Sequence, residues 1–158
     1  MTTTSARLYR SIRREDFPDG PIVGDAPAPA VLHPSFEDKP YTQNTPEGSV
    51  QRVRPADTHP FPGKDGQMMV APFKGTSLFD RENVFPSKFW WSFVIPEGTE
   101  VPASIVVRFT DYNKRFQANH YQIEPRAGIM RLDAYKGALD DLARCALVKY
   151  LAESKGQK

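Results

Sequence analysis

With 158 residues, 39% hydrophobic and 25% charged, the chain is long enough to bury a core and too apolar for wholesale disorder. Its formal net charge of +2 is too small to indicate a nucleic-acid partner by itself. No apolar run reaches membrane-spanning length, and Cys145, the single cysteine, excludes an intrachain disulfide.

The first residues, M-T-T-T-S-A-R-L-Y-R-S-I-R-R, lack the apolar stretch of a secretory signal. A cytoplasmic protein is expected, exported only by a route that reads no cleavable signal. One domain over 1–158 is the simplest division. Ala6 to Ile12 alternates in the manner of a strand. Arg10 has the parity of Leu8 and so points inward, where a guanidinium needs a carboxylate or an anionic ligand.

Phe17 to Gly63 holds ten of the 15 prolines, with D-G, P-A-P-A and N-T-P-E-G turn signals. It reads as a long irregular excursion with one or two helical turns, pinned to the core by Leu32, Phe36 and Phe61. His33 and His59 both precede proline and read as ordinary loop histidines. Two histidines without cysteine or carboxylates at ligand spacing make a poor zinc site, so no metal is expected.

The second half is denser. M-M-V-A-P-F, F-W-W-S-F-V-I-P (Phe89 to Pro96), S-I-V-V-R-F-T (Ser104 to Thr110) and H-Y-Q-I-E-P (His120 to Pro125) read as strands. Their close spacing argues for antiparallel or mixed pairing rather than βαβ units. K-G-T-S-L-F-D is a turn leading into a strand or a helix start. Both tryptophans, Trp90 and Trp91, read as core. On the H-Y-Q-I-E-P strand, His120, Gln122 and Glu124 share one face, and Tyr121 and Ile123 the other. Leu132, Tyr135, Leu139, Leu142, Ala146, Leu147 and Tyr150 make one apolar stripe on a C-terminal helix, where Cys145 reads as a small core residue.

The chain has no Walker loop, G-x-S-x-G, H-E-x-x-H or paired C-x-x-C. On spacing alone Thr76 and Ser77 read as a turn or cap, and His120 as a satisfied sheet histidine.

Five stretches carry a resemblance: G-T-S-L-F-D-R (Gly75 to Arg81), F-V-I-P-E-G-T-E-V-P (Phe93 to Pro102), D-Y-N-K-R-F-Q-A-N-H-Y-Q-I-E-P (Asp111 to Pro125), T-S-A-R-L-Y-R and L-H-P-S-F. Together these stretches resemble the small cytotoxic effectors of bacterial type VI secretion systems with an ADP-ribosyltransferase-like fold. The resemblance implies an α+β domain with two small packed antiparallel or mixed sheets around a cleft, peripheral helices and a C-terminal amphipathic helix. It implies NAD as substrate, an essential intracellular target in the recipient cytoplasm, and a cognate immunity protein that blocks the cleft. It also implies a pocket lined by Thr76, Ser77 and His120 as catalytic residues, with Arg10, Tyr9 and Tyr121 holding the dinucleotide.

The sequence departs from many such transferases at one place. Trp91 and Ser92 stand before F-V-I-P, where a catalytic glutamate is common, and Glu124 lies on another strand. Two other readings stay open. One is a nucleic-acid-directed toxin using Arg108, Lys114 and Arg115 beside Trp90, Trp91 and Tyr112. The other is a non-enzymatic binding module that docks through the helix stripe.

Overall fold

The computed structural model describes residues 2–156. Its strands are β1 (Leu8–Arg13), β2 (Lys39–Thr45), β3 (Gly48–Arg54), β4 (Met68–Val70), β5 (Thr76–Phe79), β6 (Trp90–Ile95), β7 (Ile105–Asn113) and β8 (Ala118–Pro125), besides several two-residue bridges. The one helix among the described residues is α1 (Leu132–Gly156). No helix there is long and apolar enough to cross a membrane.

The main sheet runs β6-β1-β5-β8-β7, antiparallel throughout. It is two halves rather than one continuous ladder. β6 and β1 pair over six residues, and β5, β8 and β7 form the second half. The halves meet at a single residue pair, Tyr9 opposite Phe79. From there β1 and β5 diverge, and the gap between them becomes a cleft. This is the expected α+β arrangement of two small antiparallel halves about a cleft. A smaller three-stranded sheet, with β4 in its middle, lies beside it.

Alternation along the strands decides which face is buried. Leu8, Ile12, Phe93, Ile95, Leu78 and Ile123 pack inward against Tyr135, Leu139, Leu142 and Ala146 of α1. The predicted helix stripe is therefore core, with Asp133 in the first turn and Lys155 in the last, as the helix dipole favours. Cys145 is half-buried.

The proline-rich excursion differs from its expectation. It contains no helix. Its centre is a hairpin, β2–β3, in register from Lys39↔Arg54 to Thr45↔Gly48. Prolines at strand ends and turns allow this, because Pro46-Glu47 forms the turn and Gly48 takes the positive φ of +123°. The two strands pack on nothing, and every residue but Thr45 is exposed. Leu32 and Phe36 do anchor the excursion, whereas Phe61 is 36% exposed and anchors nothing. Trp90 and Trp91 are half-buried, Trp91 at the edge of the core: Arg13 lies 4.9 Å over Trp90 and Arg14 3.5 Å over Trp91.

Candidate active site

The cleft has a volume of about 740 Å³, within the range of small-molecule sites. Arg10 sits at its back. Its parity on β1 turns the side chain inward, and its Nη1 and Nη2 donate to the carbonyls of Ser77 (3.3 Å) and His33 (3.0 Å). The guanidinium thus ties β5 and the 29–35 loop to β1 across the gap. Its Nε is buried without a hydrogen-bond partner, so one strong donor is left unmatched. Burial pulls the Arg10 pKa down, and the nearby Asp57 and Tyr135 oppose the shift.

The opposite wall is aromatic. Phe85 stacks on Trp90 with centroids 4.7 Å apart, and edge contacts run from Phe85 to Phe116 and on to Phe79. Phe79, Phe85 and Trp90 face the cleft. At its mouth stand Arg13, Lys39 and Arg54, with Asp16 and Asp57 among its carboxylates.

The predicted site residues separate into two groups. Arg10 and Ser77 line the cleft together. Thr76 does not, because neighbours on a strand point to opposite faces. Thr76 is fully buried, and its hydroxyl donates to the Leu32 carbonyl at 2.6 Å, holding the loop that forms the cleft floor. Of this pair only Ser77 reaches the cleft lining. Tyr121 lies on the same inward face, opposite Leu78, and meets Phe109 edge-on at 5.6 Å rather than lining the cleft. Tyr9 stands at the junction opposite Phe79, and its hydroxyl accepts from Arg7 Nε.

His120 stands one residue behind the wall. It pairs with Phe79 across β5–β8 and contacts that ring edge-on at 5.1 Å. A bulge in β7 between Phe109 and Asp111 places the Thr110 hydroxyl on His120 Nδ1 and on the His120 carbonyl. Burial lowers the His120 pKa. Asp111, 3.8 Å away, opposes the shift, and Arg108 adds to it. A histidine whose folded pKa lies below its unfolded value binds fewer protons when folded. Stability is then held above about pH 6.5 and falls as pH drops toward the folded pKa. His120→Gln is expected to flatten the stability loss below about pH 6.5, read as Tm against pH. A variant with the parent's slope would remove His120 as its source.

Glu124 is buried. Both its oxygens accept from Arg108, at 2.9 and 3.1 Å, and Oε2 also accepts from Gln122. Three charge-assisted bonds hold it as part of the sheet.

Three cleft features went unread in the sequence. His33 reads from the sequence as an ordinary loop residue, yet its ring binds Asp140 of α1 at 2.8 Å and its carbonyl holds Arg10. Asp57 and the Lys39/Arg54 pair also reach the cleft. No local signal identifies them, because each arrives by long-range packing.

The hydroxyls beside the cleft make a paired test. Thr76→Val leaves the Leu32 carbonyl buried and unpaired and is expected to cost about 1–3 kcal/mol of stability. Ser77→Ala is expected to leave stability within ~0.5 kcal/mol, because its hydroxyl faces open space. Chemical denaturation of both variants distinguishes them, and equal losses would contradict the assigned faces.

A split antiparallel sheet with an arginine-backed, aromatic-walled cleft at the split defines an ADP-ribosyltransferase-like fold. The profile described as "Tse2 ADP-ribosyltransferase toxin" matches residues 4–150. The chain is also 33% identical to "Toxin Tse2" of Pseudomonas aeruginosa strain PAO1, over 97% of this chain and 95% of that one. The protein belongs to the Tse2 ADP-ribosyltransferase toxin family.

Proposed function

We propose that the protein is a cytotoxic effector that uses NAD and transfers its ADP-ribose to an essential intracellular target. The observation that carries this reading is Arg10, enclosed at the split of the sheet beside an aromatic-walled cleft, with its Nε buried and unpaired.

The residues present fit a dinucleotide. Arg10 supplies a cation for pyrophosphate oxygens. The Phe85–Trp90 stack offers a flat surface for a heterocycle. Ser77 is placed to bond a ribose hydroxyl, while Thr76 and His120 set the floor and the wall behind it. Transfer breaks the bond between the ribose carbon and nicotinamide. The electron pair leaves with nicotinamide, and an acceptor nucleophile bonds to the carbon and gives up its proton. Positive charge grows on the sugar along the way. With no acid before Phe93, Asp16 and Asp57 are the carboxylates of the cleft that can meet it. Release through a type VI apparatus, action in the recipient cytoplasm and a cognate immunity protein that blocks the cleft complete this reading.

Purified protein incubated with NAD is expected to release nicotinamide, and Ser77→Ala to release it at least tenfold more slowly at unchanged Tm. Wild-type protein that kills recipient cells yet releases no nicotinamide would overturn the reading.

A further inference from the structure

The β2–β3 hairpin has a composition that its structure does not explain. Lys39 and Arg54 stand directly opposite each other in register. Like charges so placed are destabilising. Tyr41 faces Arg52 one step further on, so Lys39, Tyr41, Arg52 and Arg54 share one face. Two contacts confirm the sharing: Arg54 lies 5.5 Å over the Tyr41 ring, and Arg52 bonds Gln43. Across both seven-residue strands there is no Asp or Glu.

Two nearby carboxylates are hydrogen-bonded elsewhere. Asp38 accepts from the Ala56 amide and contacts His59, and Asp57 accepts from the Ser35 amide. Among the described residues neither Lys39 nor Arg54 forms an ion pair. The face is also continuous with the cleft, because Lys39 and Arg54 line its mouth. A basic, aromatic ribbon about 20 Å long thus leads from solvent into the candidate active site.

We propose that this hairpin face binds single-stranded nucleic acid and delivers it to the cleft as the ADP-ribose acceptor. Three cations meet successive phosphates, and Tyr41 offers a stacking surface for a base. An acidic peptide would use the cations but not the ring. The cost of opposing Lys39 and Arg54 is offset when an anion lies between them. The acceptor role rests on the NAD reading above, whereas binding does not.

The test uses full-length protein and labelled single-stranded RNA and DNA of one sequence, with polyglutamate as competitor. Binding is expected to weaken with salt, with a log–log slope of roughly −2 for three phosphate contacts. Tyr41→Ser/Arg52→Gln, outside the cleft, is expected to lower affinity about tenfold and leave nicotinamide release unchanged. With NAD present, label from its ADP-ribose is expected on RNA or on DNA, and whichever carries it names the acceptor. Nicotinamide release without nucleic-acid binding would overturn the inference and leave the NAD reading standing. So would polyglutamate competing as well as nucleic acid. Binding without nicotinamide release would instead overturn the NAD reading, and with it the acceptor role.

Discussion

Arg10→Lys is expected to reduce nicotinamide release from NAD by about 100-fold or more. The guanidinium does three things at once. Its Nη atoms fix the carbonyls of Ser77 and His33, its Nε is buried with no partner, and its charge backs the cleft. Lysine keeps the charge but has neither the fork nor the reach to bond two carbonyls and an anion together. Removing a positioned charge-assisted donor commonly costs two to three orders of magnitude in rate. Burial at this site also favours a group that stays charged when desolvated, which arginine does and lysine does not. The variant also loosens the bond between β1 and β5, so its Tm should be measured beside its rate. Folded Arg10→Lys that turns over NAD within threefold of the parent would show that Arg10 is a strut and not a ligand.

The largest stability effect is expected at Gly75. A Cβ there would fall on the Ile123 carbonyl oxygen and 2.5 Å from the Tyr135 hydroxyl. These two atoms are themselves bonded at 2.7 Å, in a site where burial pushes the Tyr135 pKa up to about 12. Neither can move without breaking that bond, and Ile123 is held in the β5–β8 ladder. Gly75→Ala is expected to cost about 3 kcal/mol or more, since overpacking here displaces backbone and not a flexible side chain. For a chain of this size that is a Tm drop on the order of 10 °C. A drop under 2 °C would mean that the β5–β8 contact is looser than described.

Legibility in the sequence differed by residue, for physical reasons. The burial of Arg10 followed from parity with Leu8 and Ile12 on one strand. So did the faces of His120 to Glu124, and the stripe of α1 from its spacings of three and four. These are properties of a few consecutive residues, and backbone geometry alone turns them into faces. The same rule already separates Thr76 from Ser77, because adjacent strand residues turn their side chains to opposite faces. That signal lay in the sequence, provided the segment was taken as a strand throughout.

Other features had no local signature. The β2–β3 hairpin is polar, exposed and proline-flanked, so no apolar alternation marks it. Trp90 and Trp91 read as core by type, but each is only half-buried, with an arginine over its ring. His33 gains its place from Asp140, 107 residues away, and holds Arg10 from 23 residues away. Glu124 is a buried ion pair because Arg108 happens to stand on the next strand.

By itself, then, the sequence determined the strands of the second half, the helix, the inward arginine and, through its ordered motifs, the family. Only the tertiary structure decided where the cleft opens and which hydroxyl faces it. Periodicity is fixed by bonds between neighbours. The cleft exists because β1 and β5 touch at one residue pair and then part, a relation between residues 70 apart that no local pattern encodes.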